Sequence, residues 1–199
     1  MRRAGRRIGL ISTNEVFDGE RTDGRGYTEA DPPGPINPYG ASKLAGEREA
    51  SKAYEDQGDR WIVRTAWLYG PPGNDFPNKI LAASDRLPPG EPLSVVEDEI
   101  GSPTFARDLA EALLNLIDLT DGGQFHLVNN GRASRLDWAA RLLGRLRPDR
   151  PLKPISRTAF SRPSKPPAWA VLESIAMPDH ARLRHWTDAT DAYLPELAG

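Results

Sequence analysis

Short apolar segments alternate with longer helix-forming segments along this chain, and that alternation constrains the fold more than any other feature. Residues 8–12, 61–67, 93–96 and 125–128 are rich in apolar and β-branched side chains, as expected of buried strands. Strands that alternate with helices are typical of a parallel sheet, because each parallel connection must cross over the sheet. The sequence therefore predicts an α/β fold.

The strongest helix prediction covers residues 38–57, which have a proline near the first turn, several alanines and Gly58 directly after them. Residues 14–35 are predicted to form a long polar connection, and residues 148–167, which include six prolines, an extended loop. The other predicted helices are residues 76–87, 107–119, 136–146 and 187–197.

Composition narrows the classes of function. The 199 residues carry 26 basic and 28 acidic side chains, and a net charge of −2 argues against a protein that coats nucleic acid. No apolar run approaches the roughly 20 residues of a membrane span. The lack of cysteine excludes disulfides and thiolate sites, and His126, His180 and His185 are not spaced as a helical zinc motif. We expect a cytoplasmic protein with no metal, nucleic-acid or membrane partner.

Tyr39 and Lys43 are the first candidates for chemistry. They lie four residues apart on a predicted helix, so both side chains project from one face. An ammonium close to a phenol favours the phenolate, and a phenol tuned in this way can act as a general acid or base. By itself the Tyr-x-x-x-Lys spacing is more typical of a solvent-exposed pair on an amphipathic helix.

Thr13 is the third candidate, because it follows a predicted buried strand. In open parallel sheets ligands bind at the carboxyl ends of the strands. A hydroxyl at that position can donate a hydrogen bond to a substrate oxygen as negative charge develops on it.

Several longer motifs give these residues a context. Residues 11–19 read ISTNEVFDG and residues 37–47 read NPYGASKLAGE. Residues 64–70 (RTAWLYG) and 95–104 (VVEDEIGSPT) follow, and Asp108-Leu109-Ala110 and Arg162-Pro163 complete the series. In this order the motifs resemble the dTDP-4-dehydrorhamnose reductase family of the extended short-chain dehydrogenase/reductase superfamily, over essentially the whole chain.

The resemblance implies reduction of C4 of a dTDP-linked 4-keto-6-deoxy sugar by NADPH or NADH, in dTDP-rhamnose biosynthesis. Tyr39 would protonate the incipient alkoxide, Thr13 would hold the carbonyl oxygen, and Lys43 would tune Tyr39 and bind the nicotinamide ribose. Tyr39 and Lys43 are thus also the expected cofactor-binding residues. Reductases of this family often pair, so the resemblance also implies a homodimer.

Three further residues are expected to bind the substrate. Trp67 would line the pocket near the sugar, although a core aromatic at a strand end is an equally good interpretation. Arg162 would meet the diphosphate, since guanidinium groups suit bidentate contacts with oxygen, but an exposed loop arginine is as consistent with its position. Thr104 is a weaker candidate, which fits a role in shaping the Pro103 turn better.

The chain departs from the family pattern in two respects. Typical members have Asp and Tyr where this chain has Asn14 and Glu15, and Gln where it has Glu99, which bears on the sugar recognised. The chain does not begin with the glycine-rich motif that binds the pyrophosphate of a dinucleotide cofactor. We therefore expect it to lack the first half of the nucleotide-binding domain and, alone, to bind NADPH weakly or not at all.

The resulting fold prediction is the C-terminal part of a Rossmann-like parallel sheet with a smaller α/β substrate-binding domain. Residues 1–72 are expected to be the remnant of the NAD(P)-binding domain that carries Thr13, Tyr39 and Lys43. Residues 73–199 are expected to form mainly the substrate-binding domain, with residues 106–128 returning to the sheet. Two alternative functions stay open: a non-catalytic regulatory protein like the methionine adenosyltransferase regulatory subunit, and a sugar-nucleotide epimerase or dehydratase.

Overall fold

The structure is a computed structural model, and it describes residues 7–54, 60–159, 163–177 and 181–198. Five α-helices and twelve short strands alternate along these residues. The helices are α1 (Pro38–Ala53), α2 (Phe76–Asp85), α3 (Ala106–Leu119), α4 (Arg135–Leu146) and α5 (Trp186–Leu197). The strands are β1 (Ile8–Thr13), β2 (Arg60–Thr65), β3 (Leu68–Tyr69), β4 (Leu93–Val96), β5 (Ile100–Gly101), β6 (Thr104–Phe105), β7 (Gly123–His126), β8 (Asn129–Asn130), β9 (Ala133–Ser134), β10 (Leu152–Ile155), β11 (Trp169–Ala170) and β12 (Leu183–His185).

The main sheet has the order β1–β2–β7, and both of its ladders are parallel. Thr13 pairs with Thr65 at the carboxyl end of this sheet. The predicted α/β fold with parallel strands is therefore confirmed. The segment that contains α3 ends in β7, which pairs with β2.

Smaller ladders surround the main sheet. The parallel pairs are β4 with β10, β3 with β6, β5 with β11 and β8 with β12, and β9 joins β5 in antiparallel orientation. Apolar side chains pack the helices against the strands. On α3, for example, Leu109, Ala112 and Leu116 are buried at helical spacing and belong to a core cluster with side chains of β2 and β7. The chain thus builds several small cores around short strands rather than one continuous sheet.

Most predicted elements are present, with differences in their bounds. The strand predicted over 125–128 is observed at Gly123–His126, and the helix predicted over 76–87 ends at Asp85. The extended loop predicted over residues 148–167 contains β10, because the edge of β4 accepts a parallel strand and tolerates Pro154, which has no N–H to donate. The predicted strand 61–67 ends at Thr65, since Trp67 turns into the left-handed region with a φ of 44°. The first helix ends at Ala53, and Gln57 lies outside the described residues.

Candidate active site

The start of α1 is fixed against the turn that follows β1. The Asn37 side chain caps the helix by accepting a hydrogen bond from the Gly40 N–H at 2.8 Å, and Pro38 occupies the first turn. A Cβ at Gly40 would lie 2.0 Å from the Glu15 carbonyl oxygen, so only glycine permits this close approach. Tyr39 therefore begins its helix directly beside the carboxyl end of β1.

Tyr39 and Lys43 occupy one face of α1, as the four-residue spacing predicts. The Lys43 ammonium is half-buried and donates a hydrogen bond to the Ile11 carbonyl oxygen of β1 at 2.8 Å. The Tyr39 side chain is 51% exposed, and its hydroxyl forms no hydrogen bond within the described residues. The phenol is thus open to a ligand while the ammonium is anchored to the strand that ends in Thr13.

Thr13 is buried at the end of β1. Its hydroxyl accepts a hydrogen bond from the Glu15 N–H at 3.3 Å and donates one to the Asn14 side chain at 3.3 Å. Across the described part of the chain, no hydrogen bond joins Thr13, Tyr39 and Lys43 to one another. Separate contacts instead hold a hydroxyl, a phenol and an ammonium around one end of β1, an arrangement suited to polarising a carbonyl and exchanging a proton.

A buried ion pair that the sequence did not reveal holds α1 on the sheet. Arg64 of β2 binds the Glu47 carboxylate through two hydrogen bonds of 2.9 and 2.7 Å, and the Ser12 hydroxyl donates to the same carboxylate at 2.5 Å. Arg64 is 2% exposed and Glu47 is 3% exposed. The pair therefore joins α1 to β2, and the Lys43–Ile11 contact joins the same helix to β1. No local spacing in the sequence pairs Glu47 with Arg64, which lies 17 residues later in the chain.

Three other tyrosines, unlike Tyr39, are buried. Burial raises the pKa of Tyr27 to about 12, and the hydrogen bond that this phenol donates to Asp18 acts in the same direction. Burial also raises the pKa of Tyr69 and Tyr193. Tyr69 and Tyr193 pack in one core cluster and Tyr27 in another, so their rings are enclosed by protein.

Trp67 lines a cavity of about 730 Å³ that also includes Phe76, Lys79, Arg135 and Trp138, and we call it the aromatic cavity. The Arg135 guanidinium carbon lies 3.5 Å from the Trp67 ring centroid and 5.0 Å from that of Phe76. Phe76 stacks on Trp138 at 4.8 Å. One cation, Arg135, therefore stands beside two aromatic faces, and Lys79 also lines the cavity. This chemistry suits a ligand with a planar base and a negative charge.

The residues around Thr104 support Trp67. Thr104 is fully buried, its hydroxyl donates to the Ser102 carbonyl at 3.1 Å, and its N–H donates to the Trp67 carbonyl at 3.3 Å. Gly101 leaves room for the indole, since a Cβ there would lie 2.5 Å from the Trp67 ring. Thr104 thus holds the backbone of Trp67, while its expected contact with a substrate stays a prediction.

Two further observations complete the site. The Glu99 carboxylate is 2% exposed and lies 3.9 Å from both Arg135 and Arg157, so it supports the guanidinium beside Trp67. Arg162, predicted to meet a diphosphate, lies outside the described residues.

Within the described ranges, no group of three or more His, Asp or Glu side chains could hold a metal ion, and no helix is long and apolar enough to cross a membrane.

Comparison with known proteins relates the chain to a group of reductases. The family model described as the RmlD substrate binding domain matches residues 2–198. A dTDP-4-dehydrorhamnose reductase of Mycobacterium tuberculosis is 37% identical over 195 residues, which cover 94% of this chain and 62% of that protein. The chain thus spans less than two thirds of that relative's length.

Solved structures agree with the sequence comparison. A dTDP-4-dehydrorhamnose reductase of Clostridium acetobutylicum has a TM-score of 0.87 and 34% identity, with coverage of 97% of this chain and 66% of that one. The corresponding reductase of Bacillus anthracis, solved in complex with NADP, has a TM-score of 0.81 and 30% identity, with coverage of 96% and 66%.

Proposed function

Since this chain belongs to the RmlD substrate-binding domain family, we propose that it carries the acid–base and sugar-nucleotide-binding part of a reductase. The reaction is reduction of the C4 ketone of a dTDP-linked 4-keto-6-deoxy sugar to an alcohol. The relatives' names support this substrate class. The observation that carries the proposal is the Lys43–Ile11 contact, which brings the Tyr39–Lys43 face of α1 to the strand end that bears Thr13.

The three side chains then have distinct tasks. The Thr13 hydroxyl donates to the substrate carbonyl oxygen, and the Tyr39 phenol delivers the proton that converts the developing alkoxide to an alcohol. Lys43 stabilises the phenolate that Tyr39 leaves behind, because an adjacent ammonium favours the charged phenol. The exposure of Tyr39 and the burial of Thr13 support this division, since only the proton donor must be replenished from solvent.

The aromatic cavity is the proposed site for the nucleotide part of the substrate. Trp67, Phe76 and Trp138 offer faces on which a thymine ring can stack. Arg135 and Lys79 offer positive charge to the diphosphate.

NADPH or NADH is the proposed reductant, and it supplies a hydride when bound. Tyr39 and Lys43 fit the ribose next to the nicotinamide, because the phenol is open and the ammonium has further protons to donate. The 199 residues contain no glycine-rich dinucleotide-binding motif whose backbone could approach the pyrophosphate. We therefore expect the 199-residue chain by itself to bind NADPH weakly or not at all.

We further propose that residues 1–72 belong to the cofactor-binding part and residues 73–199 mainly to the substrate-binding part, with residues 106–128 rejoining the sheet. The pairing of β7 with β2 supports the last point. A cytoplasmic location and a homodimer complete the proposal, and light scattering after size-exclusion chromatography tests the dimer.

The test uses a chimera. The portion of the M. tuberculosis reductase that precedes its match to this chain is joined ahead of Ile8, and NADPH oxidation is followed with dTDP-4-dehydrorhamnose. The chimera should turn over, and Tyr39→Phe should lower kcat by about a hundredfold or more, the usual contribution of a general acid. Tyr54→Phe is the matched control and should leave kcat unchanged.

The other outcomes separate the alternatives. Near-normal turnover by the Tyr39→Phe chimera would remove Tyr39 from the mechanism. Binding of NADPH and dTDP without turnover would favour the non-catalytic regulatory function. Turnover of a sugar nucleotide without net NADPH oxidation would favour an epimerase or dehydratase.

A further inference from the structure

Glu15 lies at the centre of the proposed site, and the reaction as proposed gives it no task. It belongs to the short 3₁₀ turn Asn14–Val16 that follows Thr13, and its N–H donates to the Thr13 hydroxyl. The start of α1, which bears Tyr39, packs on its carbonyl oxygen. The Glu15 carboxylate thus belongs to the turn that lies between Thr13 and Tyr39, the two residues proposed to contact the substrate carbonyl.

Asn37 fixes the position of that carboxylate. Its amide N–H₂ donates to Glu15 Oε2 at 2.7 Å and to the Lys165 carbonyl at 3.2 Å, while its own oxygen caps α1. Because Asn37 is buried and engaged at both ends, Glu15 Oε2 is held in one place. The carboxylate is therefore ordered before any ligand arrives, which reduces the entropy lost on binding.

The second oxygen of Glu15 is available. No described residue donates a hydrogen bond to Oε1, and none of the described cations lies within 4 Å of the carboxylate. An ionised carboxylate only accepts hydrogen bonds, so the complementary ligand group must be a donor. The side chain is half-buried, a setting in which a charge-assisted hydrogen bond is stronger than a neutral one.

We propose that Glu15 determines specificity by accepting a hydrogen bond from the sugar hydroxyl on the ring carbon next to the reacting carbonyl. The inference rests on the proposed function, because it takes Thr13 and Tyr39 as the groups that meet that carbonyl. Substituents on adjacent ring carbons lie close together, and Glu15 directly follows Asn14 and Thr13, so a sugar whose carbonyl meets Thr13 brings this hydroxyl into the neighbourhood of Glu15. A sugar that lacks the hydroxyl leaves the carboxylate without a partner and is discriminated against.

Binding measurements on the 199-residue chain test the proposal without requiring turnover. Isothermal titration calorimetry compares dTDP-rhamnose, whose rhamnose ring carries the hydroxyl, with dTDP, which lacks the rhamnose. Glu15→Ala should weaken binding of dTDP-rhamnose by about tenfold or more, as expected for a hydrogen bond to a charged group, and leave binding of dTDP unchanged. Glu15→Gln keeps the contact with Asn37 and should lose less affinity. Glu49→Gln, an exposed position on α1, is the matched control.

The outcomes distinguish the two proposals. Equal affinity of wild type and Glu15→Ala for dTDP-rhamnose, or an equal loss for both ligands, overturns the role of Glu15 and leaves the proposed reductase function standing. Failure of the folded wild-type chain to bind either ligand, with folding checked by circular dichroism, overturns the proposed substrate class and the role of Glu15 with it.

Discussion

Two parts of the molecule solve the problem of buried polar groups in different ways. In the strand–helix unit, formed by β1, α1 and β2, the Glu47 carboxylate meets Arg64 and Ser12 and is closed to solvent. In the aromatic cavity, by contrast, the Arg135 guanidinium lies against the face of Trp67 beside an open space of about 730 Å³.

The difference shows which part is built for rigidity and which for a ligand. A buried ion pair holds its partners in one geometry, because separating them would leave an uncompensated charge. A cation on an aromatic face beside a cavity keeps surface available for a second partner. The proposed proton donor thus stands on a helix held by a buried ion pair, and the proposed nucleotide site is a cavity lined by aromatic side chains and a cation.

Breaking the ion pair should produce the largest effect. Arg64→Met leaves the Glu47 carboxylate buried with only Ser12 as a partner, and we expect a loss of about 3–5 kcal/mol in the free energy of unfolding. Urea denaturation monitored by circular dichroism measures it. A loss below about 1 kcal/mol would show that the pair does not hold the unit together.

Two controls sharpen this result. The double variant Glu47→Leu/Arg64→Met should be less destabilised than Arg64→Met, since it removes both charges at once. Arg147→Met breaks an equally short but exposed pair with Asp85 and should cost less than about 1 kcal/mol.

Filling the space beneath Trp67 should have an intermediate effect. In Gly101→Ala the new methyl would lie 2.5 Å from the indole, so the ring must shift, at a cost of about 1–3 kcal/mol. Urea denaturation measures the cost, and a changed tryptophan emission reports the displaced ring. Gly46→Ala on the exposed face of α1 meets no atom within 4 Å and should instead stabilise the protein, by about 0.5–1 kcal/mol. Unchanged stability and emission in Gly101→Ala would contradict the close packing.

The smallest effect expected is a pH dependence of the free energy of unfolding, which arises from His126 beside the Arg64–Glu47 ion pair. His126 pairs with Arg64 across the β2–β7 ladder, and its Nδ1–H donates to the carbonyls of Tyr27 and Glu173. Burial lowers the pKa of His126, as does the nearby Arg64 charge, while the Glu29 carboxylate opposes the shift. Among the residues that the structure describes, none is a hydrogen-bond partner of His126 Nε2, so a proton added there would be unsatisfied.

The sign of the effect follows from that lowered pKa. Below the ordinary histidine pKa of about 6.5 the unfolded chain binds a proton that the folded chain resists, so the free energy of unfolding should fall between pH 7 and pH 5. The pKa of Glu29 is also lowered, so the contribution of Glu29 to the pH dependence of stability falls at a lower pH than that of His126. Urea denaturation at several pH values measures the slope, which His126→Asn should remove and His185→Asn should retain. If the His126→Asn variant kept the same slope of unfolding free energy against pH, the slope would have to come from another titrating group.

The strand–helix unit was largely predictable because its signals are local. The proline and alanines of α1 and the apolar run of β1 place both elements near their observed positions, and β4 has its predicted bounds. The motifs along the chain correctly identified the family. The Tyr39–Lys43 spacing also predicted a shared helix face, whereas the catalytic roles of these residues remain predictions.

The aromatic cavity was not predictable, because its parts meet only in three dimensions. Trp67, Phe76 and Trp138 come from three separate segments, and nothing near Arg135 in the sequence indicates that it lies on Trp67. The seven two- or three-residue strands, such as β3 and β6, are too short to show a periodicity of their own, and each is defined by the neighbour that supplies its hydrogen bonds.

By itself, the sequence determined the α/β class, the family and the helix face that carries Tyr39 and Lys43, since these depend on periodicity and on motifs contiguous in the chain. Only the tertiary structure decided that Glu47 is neutralised by Arg64, that Trp67 faces a cavity and that Glu15 keeps one oxygen available. The reason is physical: charge compensation and cavity shape depend on which distant side chains are brought into contact, and no local pattern encodes that contact.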